Sequence, residues 1–145
     1  MIWKHTQEWL EQCSTMVQYA ATEANPNGLA DAAKWYIDRF EQLGFSVQII
    51  ENNDALYRPL IVAVRLPKNG CETHVGFFHH YDVEPVRKTW DYDPWTLTER
   101  ANRVYGRGGA DNIGPFIQRL LFVEHTPVDV GLVFVVQGEE EIGSP

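Results

Sequence analysis

The run Val130-Gly131-Leu132-Val133-Phe134-Val135-Val136-Gln137 constrains the fold of this chain more than any other stretch. It is apolar at nearly every position, the pattern of a strand buried on both faces. Leu60 to Leu66 repeats the pattern and stops at Pro67-Lys68-Asn69-Gly70. His74 to Tyr81 is a third such run, and Phe45 to Ile50, ended by Asn52-Asn53-Asp54, is a fourth. Strands of this kind need helices on both faces, and helical spacing is present around them. Trp9, Cys13, Met16, Val17 and Ala20 form one apolar stripe between Glu8 and Ala21, broken by Asn25-Pro26-Asn27-Gly28. Leu29, Ala33, Tyr36, Ile37 and Phe40 form a second stripe, with Gly44 as its stop. Ile113, Phe116, Ile117, Leu120 and Leu121 form a third, with Pro115 in the first turn. Glu84 to Asn102 reads as a long irregular segment framing a cleft. The class is α/β, with a mixed, mainly parallel sheet between helix layers.

Composition narrows the function. The 145 residues suffice for one domain with a core, and 44% apolar with 12% aromatic residues describes a folded chain. A net charge of -8 argues against nucleic acid and anionic membrane as partners. Cys13 and Cys71 stand outside any zinc spacing and read as reduced thiols of a cytoplasmic chain. The start, Met1-Ile2-Trp3-Lys4-His5-Thr6, lacks the basic and apolar blocks of a secretory leader. No window reaches the roughly 20 apolar residues of a membrane span.

The chemistry gathers where apolar runs end. The third run closes on His80-Tyr81-Asp82. Residues two apart in a strand share a face, so Asp82 is placed to hold the His80 imidazole, as a partner of a metal-bound histidine does. Gly106-Arg107-Gly108-Gly109-Ala110-Asp111-Asn112 completes no Walker or G-x-G-x-x-G pattern and is read as delivering Asp111 to a helix start. Alone, Asp111 would be a helix cap. The third feature is Glu139-Glu140-Glu141, directly after the Val130–Gln137 run. Three glutamates in a row usually form a solvated surface. At a strand end, where α/β sheets collect ligands, packed like charges call for a cation or a proton-transfer role. One histidine with several carboxylates suits Zn²⁺.

Four motifs in order carry a resemblance: His80-Tyr81-Asp82-Val83-Glu84-Pro85, Trp90 with Asp93-Pro94-Trp95, Tyr105-Gly106-Arg107-Gly108-Gly109-Ala110-Asp111-Asn112, and Glu140-Glu141-Ile142-Gly143-Ser144. Together they resemble the M20 family of zinc metallopeptidases and amidohydrolases, which includes carnosinase-type dipeptidases, aminoacylases, acetylornithine deacetylases and succinyl-diaminopimelate desuccinylases. The resemblance covers the chain from the first helix on. It implies that residues 1–145 are the N-terminal part of a three-layer α/β/α catalytic domain, without its C-terminal half or the lid domain.

The same resemblance implies roles residue by residue. His80 and Glu141 would each ligate one of two zincs, with Mn or Co as substitutes, and Asp111 would bridge them. Asp82 would orient His80, and Glu140 would be the general base. The Asp111–Asn112 peptide would be cis. Glu139 falls outside the motif and is expected to be solvated; His79 faces away from His80 as a structural residue, and His74 and His125 are structural or surface groups. The implied substrate is a small peptide or N-acyl amino acid. Trp95 and Ile113 depart from the Phe and Lys common in the family. The third protein ligand of each zinc is expected beyond residue 145. This chain alone is therefore expected to show little or no activity, and to associate through surface the missing half would cover. The alternative is a non-enzymatic homologue serving as an interaction or subunit module.

Overall fold

A computed structural model describes residues 4–51 and 58–144. The turn expected at Asn52-Asn53-Asp54 lies outside them. Helix α1 spans Thr6–Gln18 and buries Leu10, Cys13, Met16 and Val17. Trp9 is half-buried instead, because its indole N–H donates to the Gly114 carbonyl at 2.9 Å. The helix stops short of Ala21, since Ala20 turns to a φ of 48°. The Asn25-Pro26-Asn27-Gly28 stretch does more than end a helix: it starts the next one. Asn25 Oδ1 accepts from the Gly28 N–H at 3.2 Å, and its Nδ2 donates to the Tyr19 and Ala20 carbonyls at 3.0 and 3.2 Å. Pro26 then opens α2, which spans Pro26–Gln42. Helix α3 spans Ile113–His125 and buries all five residues of its expected stripe.

Strands β1 (Ser46–Ile50), β2 (Leu60–Arg65), β3 (His74–His80) and β6 (Gly131–Gln137) form one sheet in the order β1-β2-β6-β3. The sheet is mixed, as expected. Its parallel character is narrower than expected: β3 runs parallel to β6, whereas β1–β2 and β2–β6 are antiparallel. Parallel neighbours need a crossover connection, and α3 supplies the one helix between paired strands. A separate hairpin of β4 (Thr98–Arg100) and β5 (Arg103–Tyr105) gives regular structure to the end of the segment expected to be irregular. Its turn places Ala101 and Asn102 at φ 50° and 60°, the handedness that two-residue hairpin turns require.

One sheet face, with Ile61, Ala63, Leu132, Phe134 and Val136, packs against all three helices. Aromatic rings carry this contact. Tyr36 stacks on Phe116 at 4.2 Å, and Phe40 and Phe116 both reach Phe134. The register puts Leu60, Val62, Val64, Val133, Val135 and Phe78 on the opposite face. Among the described residues no helix joins a core on that side, and Phe78 is 63% exposed. The expected cover on both faces is present on one. The helix layer and the sheet are two of the three layers.

Candidate metal centre

Parallel pairing of β3 with β6 decides where the site forms. His80 lies in register with Gln137, so the C-terminal ends of both strands stand side by side. The Tyr81 N–H extends the ladder by one bond, to the Gln137 carbonyl at 2.8 Å. Beyond that bond both chains leave the sheet at one edge. There β3 delivers His80 and Asp82, and β6 delivers the short 3-10 turn Glu140–Ile142. The start of α3 brings Asp111 to the same place. Gly108 makes that approach possible: its φ is 79°, and a Cβ there would lie 2.5 Å from Ile113 and 2.9 Å from Val83.

β3 ends at His80, one residue short of the Tyr81 expected. The two-residue strand rule therefore does not govern Asp82. The chain turns, and His80 Nδ1 donates to the backbone carbonyl of Asp82 at 2.9 Å, with the carboxylate at 3.4 Å. A carbonyl can only accept, so Nδ1 carries a proton. The buried Asp82 carboxylate also accepts from the backbone N–H groups of Glu141 at 2.9 Å and Glu140 at 3.3 Å. Asp82 holds the histidine with its main chain and the glutamate turn with its side chain.

With Nδ1 protonated, a neutral imidazole turns a bare lone pair at Nε2 toward Asp111 Oδ1, 3.1 Å away. Two acceptors at that distance need a cation between them. A proton serves: burial pulls the His80 pKa down, but bonds to Asp82 and Asp111 outweigh it and bring it up to about 9. A divalent metal would serve the same place. Donor atoms of His80, Glu140 and Glu141 lie within 4.8 Å of one another. Burial first, then the charges of Asp111, Glu140 and Asp82, hold Glu141 above the usual carboxylate range against the pull of His80. One imidazole and several carboxylates converging at a strand end make a donor set for a borderline-hard divalent cation.

The other sequence-predicted groups fall as follows. The Asp111–Asn112 peptide is cis. His79 points away, buried flat against Phe116 at 4.1 Å, with Nδ1 at 3.0 Å from the Asn112 amide. Burial, with the Arg119 charge, brings its pKa down to about 4. His74 stays on the surface against the Glu72 carbonyl. Glu139 is not the solvated residue expected: its Oε1 pairs with Arg58 Nε at 3.4 Å, on side chains 19% and 9% exposed. No local pattern links positions 58 and 139, so this pair was invisible in the sequence. Glu140 joins the donor group although it stands as the base by resemblance.

The family model for peptidase family M20/M25/M40 matches residues 76–145. That interval holds every group of this centre. The chain belongs to the M20 peptidase family. Among curated proteins, this M20 chain is 35% identical over 122 residues to the cysteinylglycine-S-conjugate dipeptidase of Corynebacterium striatum, covering 78% of the chain and 26% of that protein. It is 32% identical over 113 residues to the Beta-Ala-His dipeptidase of Rattus norvegicus, covering 73% of the chain and 23% of that protein. The crystal structure of human carnosine dipeptidase 1 superimposes with a TM-score of 0.85 at 26% identity, over 97% of this chain and 33% of that one. The M20 chain thus spans about a quarter of the length of these curated relatives.

Proposed function

We propose that this chain supplies the strand-end half of a zinc-dependent active site that hydrolyses the amide bond of a dipeptide or N-acyl amino acid. The observation that carries the reading is the convergence of His80, Glu140 and Glu141 donor atoms within 4.8 Å, with Asp111 Oδ1 at 3.1 Å from His80 Nε2. His80, Asp111 and Glu141 would hold a dizinc centre. Bound zinc would supply an acidified water and a polarised substrate carbonyl. Glu140, the exposed carboxylate of the group, would take the proton of the attacking water and pass it to the leaving amine. Asp82 would fix the His80 tautomer through its carbonyl and the Glu140–Glu141 turn through its carboxylate. The dipeptidase names of the relatives support a small-peptide substrate. The donors here give each zinc two protein ligands, where catalytic zinc sites have three. The strand-end donors of the 145-residue chain alone should therefore bind zinc weakly and turn over little substrate. A cytoplasmic location fits the unpaired thiols Cys13 and Cys71. No helix of the described residues is long and apolar enough to cross a membrane.

Calorimetric titration of the chain with zinc, beside His80→Ala and Glu141→Ala, tests the assignment. A weak binding event of the parent chain that is missing from both variants supports it. Binding that neither variant changes would place the metal elsewhere. Tight binding lost in both would keep the ligands and overturn the half-site reading.

One observation favours a second role. The apolar sheet face around Phe78 and Val135 is open among the described residues, which suits self-association or service as a subunit module.

A further inference from the structure

The geometry points to a second zinc site, formed by His5, Glu8 and His125 at the junction of α1 and α3. These residues come from three places: the N-cap of α1, its first turn, and the last turn of α3. Their donor atoms lie within 4.8 Å of one another. His125 Nε2 stands 2.9 Å from Glu8 Oε2, and His5 Nδ1 stands 3.5 Å from the same oxygen. The two imidazole rings stack face to face, 3.8 Å between centroids and 7° from parallel.

Glu8 already serves both rings with one oxygen. The surrounding charge favours a cation further. Glu124 Oε2 lies 3.8 Å from His125 Nε2, and the end of α3 presents unpaired carbonyls and the negative pole of the helix. Glu124 is itself paired with Arg39, so it is not counted as a ligand. Two imidazoles and a carboxylate, with remaining positions open to water, are a sufficient zinc donor set. A metal lies in the plane of each imidazole it binds, so the stacked rings must swing apart on binding. Their side chains are 16% and 31% exposed. Trp9 already bonds α1 to the start of α3, through its indole N–H and the Gly114 carbonyl. Zinc would tie the same end of α1 to the other end of α3. The site would hold α1 to α3 and be independent of His80, Asp111 and Glu141.

The test uses the full 145-residue chain carrying His80→Ala and Glu141→Ala, which silences the strand-end donors. Calorimetric titration should show one zinc bound per chain, and zinc should raise the melting temperature. Adding His125→Gln should abolish both effects, while leaving far-UV circular dichroism and the melt in EDTA unchanged. No zinc binding in the double variant, or binding undiminished by His125→Gln, would overturn the site. Should His125→Gln melt early in EDTA, the imidazole ¹⁵N resonances of the double variant decide. Zinc-induced shifts at both His5 and His125 support the site, and unmoved resonances reject it.

Discussion

Asp82 Oδ2 accepts the backbone N–H of Glu141 at 2.9 Å, joining the ends of two parallel strands through a buried carboxylate. The same carboxylate takes the Glu140 N–H at 3.3 Å. Asparagine keeps one acceptor but turns an amide N–H₂ toward a backbone N–H. Asp82→Asn should therefore cost about 1.5–3 kcal/mol of stability, as hydrogen bonds to charged groups do. It should also weaken zinc binding by roughly 10–100-fold, because the glutamate turn loses its anchor. Urea denaturation and zinc titration of the variant measure the two effects separately. A variant as stable as the parent would show that the carboxylate does not hold the turn.

The same strand ends meet at a second contact, between Gly138 and Tyr81. A Cβ at Gly138 would lie 2.3 Å from the Tyr81 ring. Tyr81 cannot retreat freely: it is 1% exposed, and its hydroxyl donates to the Pro59 carbonyl at 3.0 Å. Gly138→Ala should destabilise by about 1–3 kcal/mol, as overpacked cores do. Tyr81→Phe removes only the hydroxyl bond and should cost about 0.5–1.5 kcal/mol. Thermal melts of the two variants rank them, and a Gly138→Ala melt equal to the parent's would refute the clash.

How much of this was legible in the sequence depends on range. The strand runs and the three helical stripes were, because periodicity is local: Ile113, Phe116, Ile117, Leu120 and Leu121 were all read as buried and are. His80, Asp82 and Glu140–Glu141 stood out as candidates because they follow apolar runs, whereas Asp111, after a glycine-rich turn, stood out only through its companions. Strand direction was not. Buried strands look alike whether parallel or antiparallel, so the two antiparallel pairings of β2 escaped notice. Asp82 was assigned the right neighbour, and its carboxylate does reach the imidazole at 3.4 Å; its backbone carbonyl comes closer, at 2.9 Å, because β3 ends one residue before the pattern does. Arg58 with Glu139, and His125 with Glu8, join distant positions whose own surroundings carry no mark.

Cys13 and Cys71 should part company in reactivity. Cys13 is fully buried on α1, and burial pushes its thiol from 9.0 up to about 12. Iodoacetamide at mildly alkaline pH should modify the half-buried Cys71 in the native chain and spare Cys13 until urea is added. Peptide mapping reads this directly. The linkage sign follows from the raised value: the folded thiol keeps a proton that the unfolded one releases. Its contribution to stability is complete below about pH 9 and is lost as pH rises toward about 12. Cys13→Ala should flatten that alkaline decline, by up to about 1.4 kcal/mol per pH unit.

The open sheet face gives the last prediction. Cross-strand pairing aligns Ile50 with Leu60, Val62 with Val135, and Val135 with Phe78 on one side of the sheet. Ile50 is 45% and Phe78 63% exposed, and the valines between them are half-buried. A continuous apolar surface of this kind rarely stays in water. The 145-residue chain should therefore associate as its concentration rises, by sedimentation velocity. Phe78→Lys places a charge at the most exposed point of the face, away from the helix-packed core, and should shift the distribution toward monomer while leaving the melt nearly unchanged. Association that persists in Phe78→Lys would assign it to another surface, and a parent that stays monomeric throughout the series would show that this face is tolerated in water.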